Sequence, residues 1–260
     1  MSAGLRIASA LVVSAVSAAS ASSAEWGTVR GRFVFKGSHS AEKVQVTKDV
    51  EFCSEHNPMV ETVVVGADGG LKNVFVYLYV ARGKQVEIAP SYSTNDLEPR
   101  VLDNLHCRFE PHALTVWTSE PFEIHNSDPI GHNTNAQMLA ANTRFNETVP
   151  QGSPIKKSFS KSEPRPAMIS CSIHPWMNAY LLIRDNPYMA VSGDDGSFEI
   201  KDVPAGAQEF IIWHEAVGFV RNLKIGSGKT DRKGQVELKV PAGDELDLGD
   251  VEVTPDLIGL

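Results

Sequence analysis

Cys171-Ser-Ile-His174-Pro-Trp-Met177 places a thiol, an imidazole and a thioether three residues apart on one tight segment. The composition of the chain would produce such a spacing about 0.002 times by chance, so the set asks for a chemical reason. The segment lies between two stretches that read as strands, 167–171 and 179–184, and working outward from it the pattern stays β. Gly27-Thr-Val-Arg-Gly-Arg-Phe-Val-Phe-Lys-Gly37 alternates, and Leu71-Lys-Asn-Val-Phe-Val-Tyr-Leu-Tyr-Val80 is a strand bounded by Gly70 and Gly83. Further strands are predicted at 113–117, 121–125, 155–159, 196–200, 209–214 and 235–240. Asp68-Gly-Gly70, Asp194-Asp-Gly196 and Pro204-Ala-Gly206 supply turns between them. Short strands with such punctuation favour β-sandwiches or barrels, and an all-β fold class, over any βαβ arrangement. A short helix near 138–143 is the one helical alternative, set against a polar loop.

The N-terminus carries a different signal. Met1 to Arg6 forms a short positive region, and Ile7 to Ala18 an apolar run too short to span a bilayer as a stable helix. Ser22-Ser23-Ala24 before Glu25 fits the small-residue rule for signal peptidase, with cleavage after Ala21 as a near equal and a retained anchor as the competing reading. Residues 1–24 are therefore read as a signal peptide, and the mature chain is expected in a periplasmic or extracellular space. The formal net charge of −8 makes nucleic acid an unsuitable partner, since an acidic surface repels phosphate backbones. Acidity either steers a basic redox partner or simply keeps an exported protein soluble.

Three cysteines are an odd count for an exported chain, and the odd one asks either for an intermolecular partner or for a thiol with a task of its own. Cys171 is the one with metal-binding neighbours. An ion alternating between Cu(I) and Cu(II) needs soft sulfur for the reduced state and nitrogen for the oxidised state, and a His2Cys plane with a weak axial Met serves both. One more histidine is needed. His132, in Asn126-Ser-Asp-Pro-Ile-Gly-His-Asn133, is the candidate, at a turn after the strand 121–125. The predicted ligands of one copper ion are thus His132, Cys171, His174 and Met177.

These residues carry a resemblance. From about Val101 to Asp185 the chain resembles a cupredoxin, most of all the amicyanin and plastocyanin branch. Phe109-Glu-Pro-His-Ala-Leu-Thr-Val-Trp117 and Pro121-Phe-Glu-Ile-His-Asn-Ser-Asp128 resemble the lead-in strands. Gly131-His-Asn133 resembles the first ligand segment and Cys171 to Met177 the ligand loop, with Gly131 departing from the proline usual there. The resemblance implies that Asn133 ties the two ligand segments together by hydrogen bonding, and that electrons enter and leave at an exposed edge of His174, rimmed by Pro175 and Trp176. Cys53 and Cys107 are left to form a disulfide, although pairing of either with Cys171 is the competing arrangement. His56, His106, His112, His125 and His214 show no spacing that asks for a second metal.

The flanks resemble another family. Asp194-Asp-Gly-Ser-Phe-Glu-Ile-Lys-Asp-Val-Pro-Ala-Gly206 with the strand after it, and Thr28-Val-Arg-Gly-Arg-Phe-Val-Phe35, are similar to the carboxypeptidase regulatory-like, transthyretin-type sandwich. The expected organisation is a cupredoxin Greek-key sandwich at 98–185 inserted into a second sandwich made from 25–97 and 186–260, the runner-up being two domains in simple succession. The function expected is that of a type 1 copper electron carrier and not an enzyme, with a cytochrome or a dehydrogenase as redox partner. A copper module for delivery or sensing is the alternative.

Overall fold

The computed structural model describes residues 1, 25–95, 97–139 and 142–260, so the predicted signal peptide lies outside the described residues apart from Met1. The chain opens with β1 (Trp26–Phe35), a six-residue helix α1 (Val50–Glu55) and β2 (Phe75–Leu78). Nine strands follow: β3 (Arg100–Leu105), β4 (Arg108–Glu110), β5 (Ala113–Trp117), β6 (Phe122–Asn126), β7 (His132–Ala136), β8 (Phe145–Val149), β9 (Ile155–Lys157), β10 (Ala167–Ser170) and β11 (Asn178–Arg184). The remainder contributes β12 (Met189–Val191), β13 (Ser197–Pro204), β14 (Gly206–His214), β15 (Gly218–Phe219), β16 (Lys224–Ile225), β17 (Gly228–Lys229), β18 (Gln235–Val240) and β19 (Glu245–Val253). The described residues are all-β apart from α1 and a terminal 3₁₀ turn.

Strand pairing keeps the middle of the chain separate from its ends. β1 lies between β13, antiparallel, and β19, parallel. β2 lies between β12 and β14, and β14 also pairs with β18 and β15. Between them these two sheets bury Val29, Phe33, Val76, Leu78, Phe198, Phe210, Ile212 and Val251. The middle strands form a sheet ordered β5-β11-β10-β7-β8 and another ordered β4-β3-β6-β9, closed over Leu102, Phe109, Val116, Phe122, Ile124, Ile169, Leu181 and Ile183.

The two-residue period of a strand joins these cores. Phe210 and Ile212 of β14 point into the first core. Their neighbours Ile211 and Trp213, with Phe75 and Tyr77 of β2, pack on Ala113 and Leu182 of the middle strands. Both faces of β2 and β14 are therefore covered, which is why Phe75-Val-Tyr-Leu78 is apolar throughout and does not alternate. The glycine turns predicted at 68–70 and 194–196 pack against each other: a Cβ on Gly70 would sit 2.0 Å from the Asp195 carbonyl carbon, and Gly196 has φ +81°.

Two expectations about elements are revised. The strand expected over 71–80 is confined to Phe75–Leu78, because Asn73 adopts a left-handed φ of 66° and interrupts the extended backbone. The helix considered near 138–143 is not found among its described residues, and the α-helix present is Val50–Glu55. It packs on the middle core through Cys53 and Phe52.

Candidate metal centre

The two segments singled out in the sequence meet at one end of the middle strands. His132 is the first residue of β7, and Cys171 follows β10 directly. The loop between β10 and β11 is closed by its own backbone: the Met177 N–H donates to the His174 carbonyl at 2.9 Å, and the Cys171 N–H to the Met177 carbonyl at 3.1 Å. β7 and β10 are neighbours, with Asn135 opposite Ser170, so pairing of these strands brings His132 over the loop.

One nitrogen of His132, one of His174 and the sulfur of Cys171 lie within 4.8 Å of one another. His174 Nδ1 is 3.1 Å from His132 Nδ1 and 3.8 Å from Cys171 Sγ. Both histidines are fully buried and Cys171 is 2% exposed. Met177 is buried in the same core. Metal–nitrogen bonds of about 2.0 Å and a metal–sulfur bond near 2.3 Å, at angles of about 100–120°, set donor atoms roughly 3.1–3.7 Å apart; the nitrogen–nitrogen distance falls in that range and the nitrogen–sulfur distance of 3.8 Å lies just above it. The outer nitrogens give a second reason to expect a cation. His132 Nε2 lies 2.9 Å from Asp128 Oδ2, and His174 Nε2 lies 2.9 Å from Asp49 Oδ2. A carboxylate can only accept, so each Nε2 carries the proton and each Nδ1 presents a lone pair. Two lone pairs 3.1 Å apart repel each other, and a cation held between them would relieve that repulsion.

The electrostatics favour the ligand form of the thiol. Burial pushes the Cys171 thiol up, but hydrogen bonds with His132 and His174 and with the Asn133 region outweigh it, and its pKa falls to about 5; the thiolate then predominates at neutral pH. Burial likewise opposes protonation of His132, and the hydrogen bonds to Asp128 and Cys171 overcome it, raising its pKa. Asp128 is held below the usual carboxylate range, against burial, by His132 and by the Cys107 and His106 N–H groups.

Asn133 spans the two segments. Its Oδ1 accepts the Ser172 N–H at 2.7 Å and faces Cys171 Sγ at 3.4 Å, while Nδ2 donates to Asn146 and Ser172. Cys53 and Cys107 are disulfide-bonded, and Cys171 is free. Gly131 has open space where a Cβ would stand. The surroundings of His174 correct one expectation: its edge is buried, because Asp49 and the start of α1 cover Nε2. Of the rim residues, Pro175 is exposed. Trp176 is half-buried, its ring 5.2 Å from that of His174 and its Nε1 donating to the Cys107 carbonyl.

Sequence reasoning missed both carboxylates. Asp128 stood inside the quoted stretch, four residues before His132, and an acidic residue that close to a candidate ligand was a usable signal. Asp49 lies 125 residues from His174, and nothing in the chain marks it. The remaining histidines do not join the centre. His56 stacks on His106 at 4.2 Å, His125 bonds Glu123, and His112 bonds Glu215.

No family model matches the chain, and neither does any curated protein. Among solved structures it is similar to a Cu-containing nitrite reductase from Thermus scotoductus SA-01, at 17% identity and a TM-score of 0.30 over 41% of this chain and 25% of that one. It thus spans about a quarter of the reductase's length. A purple cupredoxin from Nitrosopumilus maritimus is 17% identical with a TM-score of 0.27, over 32% of this chain and 97% of that one. A Cu(I) form of an amicyanin variant is 13% identical with a TM-score of 0.29, over 36% and 90%. Likenesses of this size do not decide a function, and the geometry of the site carries the reading that follows.

Proposed function

We propose that the chain is an exported, mononuclear type 1 copper protein that carries single electrons. The observation that supports this most is the convergence of His132 Nδ1, His174 Nδ1 and Cys171 Sγ in one buried cluster. His132, Cys171 and His174, with Met177 beside them, would hold the ion, and copper bound there would supply a one-electron couple. The chain's own contribution is rigidity. Asn133 locks the Cys171 loop to β7, the loop is closed by its own hydrogen bonds, and burial excludes water from the donors. In this reading 98–185 is a cupredoxin-like domain inserted into a regulatory-like sandwich formed by 25–97 and 186–260, since strand pairing joins the two ends of the chain to each other.

The disulfide suits an oxidising compartment, periplasmic or extracellular. No helix among the described residues is long and apolar enough to cross a membrane. The partner would be a redox protein such as a cytochrome or a dehydrogenase. Donors so thoroughly buried favour electron traffic over copper delivery or catalysis, both of which need ligand exchange at the metal.

The test is the visible and electron paramagnetic resonance spectrum of the Cu(II)-loaded protein beside Cys171→Ser. An intense thiolate-to-copper band is expected, and it should vanish in the variant. A folded, copper-loaded wild type without the band would sink the proposal.

A further inference from the structure

Asp49 is placed at some cost and for no local benefit. It is the N-cap residue of α1, a position where an aspartate normally accepts a hydrogen bond from the N–H groups of the first helical turn. Here no such bond forms, and the backbone sits at φ 45°, ψ 45°, in the left-handed region. For a residue with a Cβ that conformation is less favourable than the usual N-cap backbone, even for aspartate, which tolerates it better than most. The carboxylate is turned away from the helix, and Oδ2 stands 2.9 Å from His174 Nε2. The helix behind it is pinned to the middle strands by the Cys53–Cys107 disulfide. Local strain kept in place by surrounding structure is a mark of a functional constraint.

The other candidate ligand repeats the arrangement with different parts. His132 Nε2 meets Asp128, whose two oxygens also accept the N–H groups of His106 and Cys107 at 2.6 and 2.9 Å. Those two residues have φ values of 58° and 57°. Positive φ at both positions is what the two-residue turn between β3 and β4 requires, and that turn presents its N–H groups to Asp128; a carboxylate thus meets the outer nitrogen of each imidazole, and the disulfide through Cys53 and Cys107 connects the two places.

We infer that Asp49 is a positioning residue of the metal centre: it accepts a hydrogen bond from the Nε2–H of His174, fixes the tautomer that offers Nδ1 to the metal, and adds a negative charge that favours the oxidised ion. This rests on the copper reading for its consequence at the metal but not for the tautomer itself. A histidine ligand bonded through its other ring nitrogen to a carboxylate is a stronger base and is held in orientation.

The experiment uses the full chain, with Asp49→Ala and Asp49→Asn. In metal-free protein, at a pH where the imidazoles are neutral, long-range proton–nitrogen correlation spectra report the His174 tautomer. The wild type should show Nε2–H alone, Asp49→Asn should keep it because the amide oxygen still accepts, and Asp49→Ala should show a mixture. The His132 signals, set by Asp128, should not change in either variant. Competition titration with Cu(II) should show binding weakened about 10–100-fold in Asp49→Ala, with a smaller loss for Cu(I) and an intermediate loss in Asp49→Asn. An Asp49→Ala protein with the wild-type tautomer and wild-type Cu(II) affinity would overturn the inference. If the wild type binds no copper, the copper reading fails by itself, while the metal-free spectra still decide the role of Asp49.

Discussion

The two sets of sheets are built from similar apolar residues but differ in what else they bury. The sheets joining the ends of the chain enclose Val29, Phe33, Phe210, Val236 and Val251, with few polar groups beside them, such as Ser192 and Thr230. The middle strands bury Asn104, Asn126, Asp128, His132, Asn133 and His174 as well as their own apolar core. Buried polar groups cost stability unless each finds a partner. Their concentration among the middle strands therefore marks where this molecule gives up simple packing, and in the proposed reading the outer sheets would act as a scaffold for that place.

Substitutions in each region can break or sharpen this contrast. The largest effect is expected from Phe210→Ala, which removes a fully buried ring from the scaffold. Denaturant unfolding should show a loss of about 3–5 kcal/mol, while the copper spectrum of the folded variant stays as in the wild type. A changed spectrum in folded protein would mean that the scaffold participates in the site. Replacing Cys53 and Cys107 together by serine should cost roughly 2–4 kcal/mol. Because α1 then loses its anchor, copper should pass to a chelator faster; unchanged transfer would show that the disulfide serves stability only.

A pH-dependent effect is expected where the two regions touch. His112 lies 2.9 Å from Glu215 and 3.6 Å from Glu61, the longer contact being an ion-pair distance. Burial opposes its charge, yet the two carboxylates outweigh burial and raise its pKa from 6.5 to about 9. With the folded value above the unfolded one, this contribution is whole below pH 6.5 and disappears as the pH rises through about 9. His112→Gln should destabilise by about 2 kcal/mol more at about pH 6 than at about pH 10. Equal losses at both values would remove the ion pair from the account. The smallest effect belongs to Arg30→Ala, whose bonds to Glu245 and Asp247 are half exposed. A change under about 1 kcal/mol is expected in thermal melts, and a larger one would show that the edge strand β19 depends on those charges.

How much was readable varied with the strand. β18 was legible to the residue because it alternates between a buried and a solvated face, and β5 because it is a short apolar run bounded by Pro111 and Thr118-Ser-Glu-Pro121. β19, Glu245-Leu-Asp-Leu-Gly-Asp-Val-Glu-Val253, was not, since an edge strand carries charges that read as a loop. β7 was hidden for another reason: His132-Asn-Thr-Asn-Ala136 has almost no apolar residue, and burial comes from packing between β8 and β10.

By itself the sequence determined the all-β character, the donor types and the two segments that bring them, because strand periodicity and the spacing of Cys171, His174 and Met177 are local properties. Only the tertiary structure decided that His174 is roofed by Asp49, that Cys53 pairs with Cys107, and that both Nδ1 atoms face the same point. Each of these joins residues far apart in the chain, and such contacts are chosen by strand pairing and packing, which leave no periodic trace in the sequence.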